Sequence, residues 1–382
     1  MPRLGKGFLG LFGNCPKTRI HGRAEFPVCD CSAHPEPATG GRKGDPLKLG
    51  FFVTNQYLPG ESMPQKIQDS AEQVRAARDA GFSLIATGQH YLAAPYQMST
   101  VFPLLSRLAA EAGDMQVAAT VILVPLHNPV ELAESIATLD CITNGKFVFG
   151  VGLGYRDEEY TAFGIERGER VRRMNEAMDL IKQLWSEDEV EFNGKYYTVP
   201  KTKISTRPVQ APHPPIWVAA NNDVAIRRAA RWGYPWLINP HATVPMVADQ
   251  WTRYKAALDE FGQPVPDELP MMREMYVARD RETAFIESQP FLEGKYQAYA
   301  AWGQDKALPG NESFSVPYQD LAKDRFLLGS PDDIVSEFRR YADELGVNHM
   351  ICRMQWPGMP QEQVLKQIEL LGREVIPRIK DF

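Results

Sequence analysis

The sequence predicts an α/β protein, a (β/α)8 TIM barrel over residues 46–382 with a β-hairpin insertion and a mobile lid loop. Three observations carry that reading. From Leu47 onward, eight short runs rich in branched apolar residues alternate with helical patterns, as expected of a parallel sheet covered by helices. Turn and cap residues punctuate the alternation at the right places. One strand, Phe147 to Val151, runs through Gly152, Leu153, Gly154 and Tyr155 into a helix that opens Asp157-Glu158-Glu159, and such a turn lets backbone N–H groups approach a planar or anionic ligand. A doubly wound open sheet has the same alternation, since a strand count does not close a barrel.

The predicted strands cover 48–53, 83–87, 116–123, 147–151, 216–219, 236–239, 271–278 and 349–354. Between them, helical spacing of apolar residues marks 64–80, 101–112, 129–143, 169–185, 223–232, 243–261, 282–302 and 331–345, with 360–376 closing the chain. Asp223 and Ser330 stand where N-caps belong, the latter followed by Pro331. Gly81, Gly145, Gly233 and Gly346 fall just past helix ends, where a left-handed cap favours glycine. Residues 189–199, EVEFNGKYYTV, place Asn-Gly between alternating residues and read as the hairpin. Residues 304–328 have no clear period, mix Pro309, Gly310 and Pro317 with aromatics, and read as the lid.

Composition narrows the function classes. The 382 residues are 44% hydrophobic and 24% charged, with a net charge of −6, so the chain lacks the cationic footprint of a nucleic-acid binder. No apolar run approaches the roughly 20 residues that span a bilayer. Residues 1–45 carry three of the five cysteines, are rich in Gly and Pro and show no period; they read as a disordered or extraneous leader. Within them Cys15, His21, Cys29, Cys31 and His34 match no standard zinc spacing, and no metal site is expected. Cys141 and Cys352 lie in apolar contexts and read as reduced core residues of a cytoplasmic protein.

In a barrel, chemistry gathers at the C-terminal strand ends. The polar residues there are Thr54, Asn55 and Gln56; Gln89 and His90; Thr120, then His127 and Asn128; the Gly152–Tyr155 turn; Asn221 and Asn222; and Asn239 and His241. His90, in GQHY just beyond a buried strand, is the candidate catalytic group because imidazole gives and takes protons near neutrality. His241 comes second. Asn221 and Asn222 precede a helix whose free N–H groups suit a phosphate, though plain capping explains them equally. No GxSxG elbow, P-loop, metal-ligand pair or strand-end lysine is present, which argues against hydrolase, nucleotide-triphosphatase, metal and Schiff-base chemistry.

Several long segments in order, GFSLIATGQHY, VILVPLHNPVELAESIATLDCITNGKFVFGVGLGY, EEYTAFG, PPIWVAANNDVAIRRAARWG and LLGSPDDIVSEFRRYADELGVNHM, resemble the bacterial luciferase-like family of flavin-dependent monooxygenases. The resemblance implies a barrel that binds FMN, or in a sub-branch the deazaflavin F420, at its mouth. His90 falls on the family's active-site histidine, and Thr120-Val121 on its non-prolyl cis peptide. Asn55, Asn128, Gly152, Gly154, Tyr155, Ala220, Asn221 and Asn222 match positions around the cofactor. The 304–328 segment matches the loop that closes the site, with His241 and Arg325 as the substrate or lid residues and Lys323 and Arg325 as sources of charge for the phosphate. Leu153 departs from the pattern, standing where luciferases place a phosphate-binding arginine. The implied activity is oxygenation of a small organic substrate by reduced FMN and O2, with a flavin reductase as partner and a homodimer paired through 101–112 and 129–143. An F420-dependent dehydrogenase, with Arg227 and Arg228 serving an acidic cofactor tail, and a flavin-binding protein without turnover stand as alternatives.

Overall fold

The computed structural model describes residues 46–382 except 311 and 381; the expected leader and its cysteine and histidine set lie outside the described residues. Nine strands follow in chain order: Lys48–Phe52 (β1), Leu84–Thr87 (β2), Gln116–Leu123 (β3), Phe147–Gly152 (β4), Ile216–Ala219 (β5), Trp236–Leu237 (β6), Pro270–Val277 (β7), Phe326–Gly329 (β8) and His349–Arg353 (β9). They form one parallel sheet in the order β6-β5-β4-β3-β2-β1-β9-β7-β8. The sheet curls. Just past β6, Ile238 donates its N–H to Pro270 O and accepts from Met272 N, both at 2.9 Å, so β6 reaches β7 from the far end of the order.

Curling gives the strands two unlike faces. Phe52, Leu84, Ala86, Ala118, Val148, Trp217, Leu237 and Ile351 pack together on the inside, while their neighbours Phe51, Ile85, Val117, Phe149 and Cys352 join the larger core beneath the helices. The alternation follows from the two-residue period of a strand. Both faces are apolar because helices cover the outer one, and each large side chain so buried stabilises by about 1.5–3 kcal/mol.

All eight predicted strands are present to within one residue at each end except for β6, whose extended pairing stops at Leu237, two residues short. The ninth, β8, falls at the end of the segment read as the lid. Phe326 to Gly329 pair with Glu274 to Val277 of β7, and Leu308, Phe314, Tyr318 and Leu321 of the same segment are buried. The short FLLG run has no internal period to mark it, and only its partner makes it a strand. A second correction is local: Asn222, rather than Asp223, caps the helix Asp223–Trp232, accepting from Ala225 N at 3.0 Å. Ser330 caps as expected, forming a reciprocal pair with Asp333. Val190–Asn193 and Thr198–Thr202 pair antiparallel, with the Glu176 carboxylate accepting from the N–H groups of Lys195, Tyr196 and Tyr197 at the turn.

Two glycines of β4 set the spacing beneath the site. A Cβ on Gly150 would collide with the Ala119 carbonyl, and one on Gly152 would sit 2.6 Å from Val121 Cγ2. Here β3 and β4 shift register between Ala119 and Ile122, and the Thr120–Val121 peptide between them is cis.

Candidate active site

The C-terminal strand ends surround a cavity of about 430 Å³, roofed in part by Gln304 to Leu308, a volume within the usual range for small-molecule sites. His90 enters it from the loop after β2. Its Nδ1 lies 3.0 Å from Glu159 Oε1, which also accepts from Tyr91 N at 2.9 Å. Glu159 is fully buried in the short helix Asp157–Ala162, presented by the glycine turn after β4. A carboxylate only accepts hydrogen bonds, so Nδ1 carries a proton toward Glu159, and in the neutral tautomer Nε2 keeps the lone pair. Arg156 completes the setting by donating to the carbonyls of Tyr91 and Leu92 at 2.7 and 3.0 Å, while its guanidinium lies 4.5 Å from the Trp302 ring. Tyr155 and Trp302 flank the imidazole, with ring centroids at 5.6 and 5.7 Å.

Seven cationic side chains and one carboxylate line the cavity. Arg167, Arg170 and Arg228 stand at the mouth beside Asn221, Asn222 and Ala225, at the start of the helix Asp223–Trp232. Arg228 Nε is buried without a partner among the described residues, and burial together with the nearby Arg170 charge lowers its pKa. Opposite, the buried Lys295 contacts Glu274 Oε1, and Trp356 Nε1 donates to Glu274 Oε2 at 2.5 Å. Burial pulls the Lys295 ammonium down against the attraction of Glu274. Arg353 donates to Thr54, Gln56 and Tyr299 side chains and to the Gln355 carbonyl. His241 Nδ1 lies 3.1 Å from the Tyr296 hydroxyl; burial first, then the Lys295, Arg325, Arg353 and Arg273 charges, hold the imidazole neutral.

Thr120 Oγ1, Tyr155 Oη and Asn239 Nδ2 are buried polar atoms without partners among the described residues, and all three residues line the cavity. Burial raises the Tyr155 hydroxyl well above its ordinary pKa, so it stays a neutral donor. Groups of this kind are normally satisfied, and their convergence on one cavity marks a ligand surface.

The sequence model of the luciferase-like monooxygenase family matches residues 47–349. The chain belongs to that family. It is therefore an oxidoreductase. Among its relatives, the oxygenase component of flavin-dependent trigonelline monooxygenase from Acinetobacter baylyi is 23% identical over 88% of this chain and 96% of its own. The F420-dependent glucose-6-phosphate dehydrogenase of Amycolatopsis mediterranei is 24% identical over 87% of this chain and 99% of its own. Monooxygenase RslO1 from Streptomyces bottropensis superposes with a TM-score of 0.76 at 23% identity, covering 87% of this chain and 99% of that one, a likeness of fold.

In this luciferase-like chain, His90, Asn55, Thr120, Val121, Gly152, Gly154, Tyr155, Ala220, Asn221, Asn222 and His241 all line the one cavity. Four expected residues do not. Asn128 caps the helix Pro129–Ile142, its Oδ1 accepting from Val130 N at 2.9 Å, and lies away from the cavity because Val124–Leu126 form a turn that carries the chain outward. Arg325 is buried with all three nitrogens engaged, donating to the His241 and Leu321 carbonyls and to Glu312 at 2.6–2.7 Å; it braces His241 from behind. Lys323 is exposed, so neither residue brings the expected charge to the cavity. Arg227 is likewise exposed and tied to Glu260. The residues that sequence reasoning missed are Glu159, Arg170, Lys295, Glu274 and Arg353. For the last two a signal existed, since a charge inside an otherwise apolar strand, as in MMREMYV and HMICR, requires a buried partner or a ligand.

Proposed function

We propose that this chain is the oxygenase component of a two-component flavin-dependent monooxygenase, a (β/α)8 barrel whose 304–325 segment closes over reduced FMN and a small organic substrate. Residues present fit that cofactor. The surface of Gly152, Val121 and Gly88 has no room for added side chains, as a flat ring requires: a Cβ on Gly88 would sit 3.0 Å from Thr120 O. Arg170 and Arg228, lining the cavity with Asn221 and Asn222 at the start of the helix Asp223–Trp232, suit a phosphate and stand in for the arginine that Leu153 replaces, with Arg167, paired to Asp157, beside them.

The observation that carries FMN over F420 is the compactness of this cationic patch. F420 extends an acidic tail beyond its phosphate, and the neighbouring guanidiniums that would meet it are already paired, Arg227 with Glu260 and Arg253 with Asp223 and Asp249. An F420-dependent dehydrogenase is the second reading, favoured by relatives so named. Binding of flavin without turnover is the third, and the His90–Glu159 pair argues against it.

When bound, reduced flavin supplies the electrons that activate O2. His90 then holds or moves a proton at Nε2, with Glu159 fixing the ring and offsetting positive charge on it. Trp302, Tyr299 and Leu308 exclude water from the reacting centre. Electrons would come from a separate flavin reductase, as the oxygenase-component relative suggests. A homodimer and a cytoplasmic location complete the proposal.

Anaerobic titration with reduced FMN and reduced F420, followed by admission of air and substrate, tests it. Tighter binding of FMN and substrate-dependent O2 uptake are expected. Tighter binding of F420 with no O2 uptake overturns the reading in favour of hydride transfer.

A further inference from the structure

We propose that the substrate carries a carboxylate and that Arg353 receives it. This rests on the placement of cofactor and substrate in the one cavity, and deepens it by naming the substrate's chemical class.

Arg353 ends β9, is only 6% exposed and lines the cavity. Its partners are all neutral: Thr54 Oγ1 at 2.6 Å, Gln56 Oε1 at 3.0 Å, Tyr299 Oη at 3.2 Å and Gln355 O at 3.2 Å. Among the described residues no carboxylate comes within ion-pair distance of it, nor of Arg273 beside it, whose Nε and Nη2 have no partner at all. Among the described residues the only carboxylate lining the cavity, Glu274, is committed to Lys295, and that pair contributes no net charge whichever member holds the proton. Two positive charges are thus left on this side of the cavity in a chain whose net charge is −6.

Burying an arginine among neutral dipoles is costly unless an anion completes it. The cofactor phosphate is accounted for elsewhere, by the mouth arginines. Four of the five guanidinium N–H groups of Arg353 are used, and one on Nη1 is free. Asn239 Nδ2, unpaired in the same cavity, is a second free donor, enough between them for both oxygens of a carboxylate. Position relative to the chemistry is also suitable. Tyr299, bonded to Arg353, stacks on Trp302 at 5.3 Å, and Trp302 lies 5.7 Å from His90. A substrate anchored at Arg353 therefore lays an apolar body along these rings toward the histidine.

Benzoate and its neutral isostere benzamide serve as probes, with binding to the cofactor-loaded full chain read by calorimetry and by the perturbed cofactor spectrum. Benzoate is expected to bind at least tenfold more tightly than benzamide. Arg353→Gln removes the cation. Gln56→Glu keeps the shape and supplies an internal counter-ion, and its melting temperature is expected to equal or exceed that of the unmodified chain. Each variant is expected to weaken benzoate at least tenfold while cofactor affinity stays within twofold. Equal affinity for the two probes, failure of benzoate to bind, or benzoate binding unchanged in a folded Gln56→Glu variant overturns the proposal. If neither FMN nor F420 binds, the functional reading fails by itself, and benzoate calorimetry on the cofactor-free chain still decides the anion site.

Discussion

Each functional side chain is defined by what its second side touches. His90 turns one nitrogen to Glu159 and the other to the cavity, so Glu159→Gln is expected to lower kcat roughly 10–100-fold while leaving FMN affinity unchanged. Glu159→Asp should recover part of the loss. Equal damage to FMN binding and turnover would show that Glu159 merely holds the loop. Arg228 has no carboxylate partner among the described residues, and Arg228→Gln is expected to weaken FMN at least tenfold, about 1.4 kcal/mol, without changing the affinity for riboflavin, which lacks the phosphate. A parallel loss for both flavins would place Arg228 away from that group. His90 was legible in the sequence because it sits one loop beyond a strand. Its partner was not, because a separation of 69 positions is spanned only once the sheet has curled.

At the scale of elements, the site depends on how closely β3 and β4 approach. Gly150 has no room for a side chain against Ala119, so Gly150→Ala is expected to destabilise by about 1–3 kcal/mol and lower the melting temperature accordingly; an unchanged melt would mean that the two strands separate freely. The same tight spacing places Thr120 and Val121 under the cavity rather than inside the core. Strand and helix periods were readable throughout, as Phe51 and Phe52 show by pointing to opposite faces. The exceptions are instructive: β8 is too short to carry a period, and Asn128 sits in a cofactor-like motif yet spends its side chain on a helix cap. Local pattern reports which groups a residue offers, and only packing reports which are already used.

Across the whole molecule, charge is distributed against its average. An acidic chain with a cation-lined cavity should attract anionic ligands faster at low salt, which stopped-flow association at varied ionic strength would measure; salt-independent rates would contradict it. The opposite end of the sheet carries a group that couples stability to acid. Burial, aided by Lys48, depresses His349 from 6.5 to about 3, so between those values the unfolded chain binds a proton that the folded one refuses. Stability is therefore full above about pH 6.5 and falls as the pH drops toward 3, by at most about 4–5 kcal/mol from this group, with Glu268 at 3.5 Å offsetting part of the loss. In His349→Gln, melting temperature should depend less steeply on pH between 6.5 and 4; an identical slope would assign the acid sensitivity elsewhere.

The sequence by itself determined eight of the nine strands of the sheet, the family and the candidate role of His90, because these depend on period, punctuation and motif, which are local. Tertiary structure alone decided that Glu159 faces His90, that Arg325 looks inward while Arg228 looks toward the cavity, and that Arg353 is buried without a counter-ion. Those facts depend on which side chains the curled sheet brings within a few ångströms, and charge separated by hundreds of residues is paired or left unpaired only by that closure.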